Sequence, residues 1–167
     1  MRRTKTVLVL VLAALAVGLG HRIFLYTPKE FRQVDVAGYE SDMTEALLRG
    51  LLQDAGTNGM AAYFLAFGHR LTPPTDAFLG RFSGHLPPVL SYAASRLSPT
   101  GEVVDSSSGK VGIMVQIAKI ERKSDAEFDV EAALSNLPAS SNRFIYTVVQ
   151  REGQWVVKGR KPYDSMP

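Results

Sequence analysis

The chain has 167 residues, of which 46% are hydrophobic and 9% aromatic, so it can bury the core of one globular domain and is not a disordered protein. The formal net charge is +3, but four basic residues and no acid lie in the first 22 positions. The rest carries 15 basic and 16 acidic side chains, which excludes the basic surface of a nucleic-acid-binding domain. Cysteine is absent, which excludes disulfides, thiolate metal sites, a thiol nucleophile and a lipidated N-terminal cysteine.

The first 26 residues predict a signal peptide or a membrane anchor. A basic start precedes an unbroken apolar run over residues 7–20, and Ala14 and Ala16 give the small-x-small spacing of a signal peptidase site. If uncleaved, residues 7–26 would be long enough to span a bilayer with the basic end in the cytoplasm. A buried first helix is the third alternative. In the first two cases the domain acts outside the cytoplasm, membrane-anchored by its N-terminus or secreted.

After this leader the sequence predicts a spacer over residues 27–38, a single α+β domain over residues 39–161 and a tail over residues 162–167. The domain opens with a helix, for which Asp42 and Glu45 approximate a capping box and Ser41 is the other candidate cap. Its apolar stripe, which we expect to face the core, consists of Met43, Ala46, Leu47, Leu48, Leu51 and Leu52.

The middle of the chain alternates short elements. Residues 61–67 predict a buried strand, with a short helix as the alternative. Residues 77–82 predict one or two helical turns with Phe78, Leu79 and Phe82 directed inward. Residues 89–97 predict an extended segment, and residues 98–110 predict a loop or the tip of a distorted hairpin.

A hairpin is predicted for residues 111–121 and 126–134, closed by a loop over residues 122–125. This register places Ile117 opposite Val130 and directs Glu127, Asp129 and Glu131 to the reverse face. We interpret that acidic row as a solvated sheet face. Calcium could use its oxygens, but the spacing along a strand is too open for a loop that wraps a cation.

The C-terminal ribbon over residues 144–158 carries the strongest hairpin signal. A two-residue loop at Glu152 and Gly153 sets Val148 opposite Val157, with apolar side chains on both faces of the ribbon. Together with the preceding hairpin this gives a meander of four antiparallel strands. The predicted fold class is therefore α+β: an N-terminal leader or anchor helix, then helical segments packed on a curved antiparallel sheet.

No catalytic or cofactor motif stands above background. Residues 106–110 resemble a phosphate loop only superficially, and His69 and His85 are too few and too far apart for a zinc site. No cofactor and no metal are expected. In a curled sheet, aromatic side chains can line a pocket, although core packing is the competing interpretation. The candidate ligand-binding residues are Tyr63, Tyr92, Tyr146 and Trp155.

The order helix, strand, short helix and meander ends in a pattern formed by Tyr146, Val148, Gly153, Trp155 and Val157. Over residues 39–160 this resembles the NTF2-like superfamily, the cystatin-like α+β cone. The resemblance implies a sheet cone that holds either the site of an isomerase-like or dehydratase-like enzyme or the ligand of a non-catalytic domain. Fold alone does not decide between these functions.

The sequence favours a non-enzymatic extracytoplasmic accessory or binding domain of unknown ligand. The alternative is a small NTF2-like enzyme of isomerase, dehydratase or hydrolase type, whose pocket inside the cone would join Tyr63 or Tyr92 to Asp76 or a histidine. A third possibility is a protein partner, or a second copy of the domain, paired through the exposed sheet face. Membrane contact is expected only through residues 7–26.

Overall fold

The structure, a computed structural model, describes residues 36–55, 59–136 and 142–163. The predicted leader helix and most of the spacer lie outside these residues. Within the described ranges, no helix has both the length and the apolar character needed to cross a bilayer.

The described chain forms two helices and eight strands. The helices are α1 (Asp42–Ala55) and α2 (Asp76–Gly80), and single 3₁₀ turns lie at Val36–Gly38 and Tyr92–Ala94. The strands are β1 (Tyr63–Phe67), β2 (Val89–Ser91), β3 (Ser95–Leu97), β4 (Val103–Asp105), β5 (Ile113–Ser124), β6 (Glu127–Ser135), β7 (Asn142–Arg151) and β8 (Gln154–Pro162). The last strand ends one residue beyond the predicted end of the domain.

The main sheet has six strands in the order β2-β1-β5-β6-β7-β8, and β3 and β4 form a separate two-stranded sheet. The predicted antiparallel meander is confirmed as β5 to β8. The sheet also has a parallel part that was not predicted, because β1 lies parallel to both β2 and β5. Those parallel pairings become possible because α2 and the β3–β4 hairpin lie between the paired strands in the chain and allow crossovers.

Helix α1 is confirmed, and its cap is settled. Ser41 accepts a hydrogen bond from the backbone N–H of Thr44 at 3.2 Å, so Ser41 is the N-cap and Asp42 is already helical. The helix buries Met43, Leu47, Leu48, Leu51 and Leu52 against the sheet, while Ala46 is half-buried.

Strand β1 is buried along its whole length. Tyr63, Leu65 and Phe67 belong to the large core beneath α1, whereas Phe64 faces a second, smaller core. That second core contains Val103 of β4, so the β3–β4 hairpin covers the side of β1 that α1 does not. Helix α2 adds Phe78, and the turn after it adds Phe82, to the large core, as predicted.

The β7–β8 hairpin follows its predicted register. Val148 pairs with Val157, Val149 pairs with Val156, and the loop residues Glu152 and Gly153 have φ angles of 51° and 78°. Two successive positive φ angles are typical of the type I′ turn, whose twist matches that of the strands it joins.

The register predicted for β5 and β6 is wrong. Ile117 pairs with Ala132, and Val130 pairs with Ile120 instead. The strands continue to Ser124 and Glu127, so the loop is shorter than predicted. A bulge between Ile117 and Lys119 absorbs one residue. Residues 89–97 are extended as predicted but are interrupted by the 3₁₀ turn at Tyr92–Ala94.

Gly112 precedes β5 at a point where the backbone meets β1 closely. A Cβ atom there would lie 2.5 Å from Cε2 of Phe64 and 2.6 Å from the carbonyl oxygen of Ala62. We expect Gly112→Ala to lower the free energy of unfolding by about 1–3 kcal/mol, because the strand has to shift. The measurement is chemical denaturation followed by far-UV circular dichroism.

The matched control for this prediction is Gly50→Ala. Gly50 lies inside α1 and has open space around its Cβ position, so the same substitution should raise the free energy of unfolding by roughly 0.5–1 kcal/mol. Equal effects of the two substitutions would contradict the close approach at Gly112.

Candidate functional site

The candidate site lies on the face of the main sheet that is turned away from α1. Of the described elements, the β3–β4 hairpin covers this face only near β1, through the small core. Beyond it, a cavity of about 300 Å³ opens over β5, β6 and β7. We call it the charged groove, and it is lined by His69, Lys119, Glu121, Asp129, Glu131, Ile145 and Tyr163.

The bulge in β5 creates the groove's mixed charge. Without it, strand alternation would place Ile120 on the same face as Gln116. With it, Lys119 pairs with Glu131 and Glu121 pairs with Asp129, while Ile120 packs against the large core. Two charged residues of β5 are thereby brought to the face that carries the acids of β6.

Glu131 is the most buried charged residue of the groove, at 6% relative exposure. Its Oε1 accepts a hydrogen bond from Nη1 of Arg143 at 2.7 Å, and Nη2 of Arg143 lies 3.5 Å from Oε1 of Gln116. The amide nitrogen of Gln116 in turn donates to the carbonyl oxygen of Gly68 at 2.9 Å. This chain of contacts connects β6, β7 and β5 to the turn that follows β1, starting from Glu131 in the lining of the groove.

His69 stands at the rim, because the turn that carries it is fixed at both ends. The N–H of Gly68 donates to the carbonyl of Ile117 at 2.8 Å, and the carbonyl of Gly68 accepts from Gln116. Gly68 has a φ of 67°, which favours glycine. The His69 side chain itself is exposed and makes no hydrogen bond to the described part of the chain.

The two other acids of the groove, Glu121 and Asp129, contact lysine side chains and a hydroxyl group. Nζ of Lys123 donates to Oε1 of Glu121 at 2.6 Å and lies 3.7 Å from Oδ2 of Asp129. Oγ1 of Thr147 donates to Oδ1 of Asp129 at 2.8 Å, and Lys119 reaches Glu121 at 3.5 Å. The hydrogen bond and charge of Lys123 lower the pKa of Glu121, with a smaller contribution from Lys119. Glu121 therefore stays ionised at neutral pH.

Tyr163 and Ile145 form the apolar part of the lining. The backbone N–H of Tyr163 donates to the carbonyl of Arg143 at 3.0 Å, which extends the ladder past the end of β8. This contact places Tyr163 on the groove side of the sheet, where the side chain is 40% exposed.

The four aromatic residues predicted to bind a ligand lie in different surroundings. Tyr63 is fully buried in the large core, and its hydroxyl donates to the carbonyl of Leu52 at 3.4 Å. Tyr92 packs against the small core. Tyr146 belongs to the large core, and the half-buried Trp155 packs against that core, where it meets Phe128 edge to face at 5.6 Å.

Tyr146 also lines a second cavity, of about 160 Å³, between the end of α1 and the sheet. We call it the helix-side cavity. Leu51, Leu134 and Phe144 form its apolar walls, and Asp54 and Arg160 give it a polar rim, where the guanidinium of Arg160 stacks 4.8 Å from the ring centre of Phe144. Its other lining residues are Ala55 and Asn142.

Of the groups predicted to form an enzyme site, Tyr63 and a histidine are in contact, whereas Asp76 lies apart from them at the surface. His85 meets the ring of Tyr63 edge to face at 5.9 Å, while its Nδ1 contacts the carbonyl oxygen of Pro87 at 2.8 Å. Asp76 is exposed at the start of α2. Among the described residues, no three His, Asp or Glu side chains, including the acids of β6, are arranged to hold a metal ion.

Sequence reasoning identified Asp129 and Glu131 as neighbours on one sheet face but missed Lys119, Arg143 and Tyr163 as their companions. Lys119 is displaced by the bulge, which hydrophobic alternation does not reveal. Arg143 and Tyr163 lie far along the chain and reach the groove only through the ladder of β6, β7 and β8. The charge of Arg143 opposite the acidic row of β6 was the available signal.

Removing Arg143 tests whether the Glu131 pair is a structural contact of the groove. We expect Arg143→Met to lower the free energy of unfolding by about 2–4 kcal/mol, since it leaves a carboxylate almost buried without its cation. Arg143 itself is about a third exposed, which keeps the effect below that of a fully buried pair. Urea denaturation at pH 7 gives the measurement.

The control is the double variant Arg143→Met with Glu131→Leu, which removes both charges. It should recover most of the loss, because replacing both partners of a buried ion pair is far less costly than replacing one. A double variant as unstable as the single one would show that the charge pair is not the cause.

Neither a protein-family model, nor a curated protein, nor a solved structure matches this chain. The resemblance to the NTF2-like superfamily therefore stays a prediction. What the charged groove does has to be inferred from its geometry.

Proposed function

We propose that this protein is a non-enzymatic extracytoplasmic binding or accessory domain, tethered or secreted, and that the charged groove is its ligand site. The observation that carries the proposal is a cavity of about 300 Å³ lined by acidic side chains that each pair with a cation, and of which Glu131 is buried. A cavity of this size with a few convergent polar groups is typical of a small-ligand site.

The pairing of these charges favours binding over catalysis. A general acid or base needs a pKa close to the working pH, whereas Lys123 lowers the pKa of Glu121 away from it. Each carboxylate of the groove has a cation within 4.0 Å. These paired carboxylates can accept hydrogen bonds from a ligand but are not arranged to act as a nucleophile or a base.

Location outside the cytoplasm is supported by the leader, in which a basic start precedes the apolar run of residues 7–20. A body with 15 basic and 16 acidic side chains fits a domain that meets its ligand in an aqueous compartment and not on nucleic acid. Pairing with a protein partner or with a second copy through the exposed sheet face stays a prediction.

A second candidate is the small enzyme with its site inside the cone, and one observation favours it. The helix-side cavity brings the hydroxyl-bearing ring of Tyr146 together with Asp54 and Arg160 at one opening. Its volume of about 160 Å³ is below the usual range for ligand sites, which is why we place it second.

Binding can be tested on the full chain by two-dimensional ¹H–¹⁵N NMR with four classes of probe: neutral saccharides, amino acids, diamines and small dicarboxylates. We expect at least one class to shift the amide signals of the groove in a saturable way and to be recovered chemically unchanged. Shifts confined to residues around Tyr146, or conversion of a probe, would favour the enzyme instead. The absence of any saturable shift would reject the groove as a ligand site.

The location is tested by fractionating cells that express the full chain and sequencing the N-terminus of the recovered protein. An intact N-terminus in the membrane fraction would identify residues 7–26 as an anchor. A mature chain that begins at Val17, after Ala14 and Ala16, would identify a cleaved signal. Recovery of the uncleaved chain from the cytosol would contradict the proposed location.

A further inference from the structure

The charged groove leaves a particular set of hydrogen-bonding groups unused. Oε1 of Glu131 accepts from Arg143, but Oε2 has no partner among the described residues. Every buried side-chain polar atom in the described chain has a partner, so Oε2 is open to solvent, and Glu131 reaches solvent through the groove. The imidazole of His69 and the hydroxyl of Tyr163 are likewise without partners in the described part of the chain.

These three groups offer both donors and acceptors. A carboxylate oxygen only accepts, whereas a neutral imidazole and a phenol each donate and accept. A ligand that satisfies all of them has to combine both roles, as every hydroxyl group does. The free capacity of the groove therefore matches a molecule with several hydroxyl groups.

The charges of the groove argue against an ionic ligand. Glu131 is paired with Arg143, Asp129 lies near Lys123, and Glu121 contacts Lys119 and Lys123. A cationic ligand would have to compete with Arg143 or Lys123, and an anionic ligand would meet the carboxylates. A neutral polar ligand keeps every pair and adds hydrogen bonds to charged groups, which are stronger than neutral ones.

The apolar part of the lining points to the same class. Tyr163 is 40% exposed at the groove, and Ile145 of β7 lies beside the acidic residues of β6. A sugar ring has an apolar C–H face and a hydroxylated edge, so an aromatic ring can cover the first while polar groups bind the second.

We propose that the charged groove binds a saccharide unit, with the sugar's C–H face against Tyr163 and its hydroxyl groups on Glu131 and His69. This inference rests on the proposed function as a binding domain and names its ligand class. A single unit has few atoms to contact, so the affinity should be weak, on the order of 1 mM.

The test is NMR titration of the full chain with glucose, N-acetylglucosamine and their β-1,4-linked dimers. Amide shifts of His69, Ile145 and Tyr163 should saturate near millimolar concentration, while lysine, putrescine and succinate leave them unchanged. Co-sedimentation with insoluble cellulose and chitin distinguishes the sources, because a polymer-bound sugar should also pull down the chain whereas a site for free sugar should not.

Substitutions of Tyr163 at the rim of the groove, compared with a substitution outside it, test whether the saccharide binds there. Tyr163→Ala should weaken binding tenfold or more, and Tyr163→Phe, which keeps the ring and loses the hydroxyl, only a few-fold. The matched control is Leu86→Ala, an exposed apolar residue at 80% relative exposure outside the groove, which should leave binding unchanged. Both residues are exposed enough that the melting temperature of all three variants should stay close to that of the parent chain.

The outcomes distinguish the claim that the ligand is a saccharide from the claim that the groove is a binding site. If no saccharide binds but another class shifts the groove, the ligand class is wrong and the binding function stands. If saccharides bind and Tyr163→Ala has no more effect than Leu86→Ala, the groove is not their site. If no class binds at the groove, both the ligand class and the proposed function fall.

Discussion

The fold depends on burying β1 from both sides. All five of its residues are inaccessible to solvent; Tyr63, Leu65 and Phe67 lie in the large core under α1, and Phe64 lies in the small core under the β3–β4 hairpin. A strand that is apolar on both faces is stable only when a layer covers each face. This requirement places α1 on one side and the hairpin on the other, and it fixes where the sheet is covered and where it is open.

The parallel pairing of β1 with β5 means that the cover over both faces of β1 also determines which part of β5 is buried. Strand β5 starts beside β1, where Met114 faces the small core, and continues past the end of β1 into the antiparallel meander. Its first half is largely buried on both faces, whereas in its second half only Ile120 packs against the large core. The bulge between Ile117 and Lys119 lies at this transition. It returns Ile120 to the large core and assigns charged residues to the open side, so the same irregularity completes the core and forms the groove.

The sequence reveals those features that depend on local chemistry. The stripe of α1, the inward phenylalanines Phe78 in α2 and Phe82 after it, and the Glu152–Gly153 turn were all predictable, because helical spacing and turn residues act over a few positions. The parallel orientation of β1 was not predictable, because an apolar run of this length indicates that the strand is buried but not which strands pair with it. The register of β5 and β6 was missed because the strands continue to Ser124 and Glu127, which makes the turn shorter than predicted, and because a bulge leaves composition and alternation unchanged on either side of it.

The same distinction explains how much of the candidate site was visible in advance. Asp129 and Glu131 were predictable as a row because strand alternation directs them to one face. Their partners come from β5, β7 and the end of β8, and only the ladder shows that Arg143 stands beside Glu131 or that Tyr163 reaches the groove. The aromatic candidates were chosen for their size, which is also what a core selects, and Tyr63 and Tyr146 are buried in that core.

The buried pair of Glu131 and Arg143 links stability to the proposed binding. An ion pair at this depth adds little to stability over an apolar pair of similar size, because both ions lose their hydration. It does hold Glu131 in place with Oε2 left open to the groove, and Gln116 extends the same contacts to the turn that carries His69. The carboxylate of Glu131 is thus set in place before a ligand arrives, and the backbone next to His69 is anchored, which reduces the ordering cost of binding. Stability alone gives no reason for a charged pair at this position, whereas a preorganised hydrogen-bonding surface does.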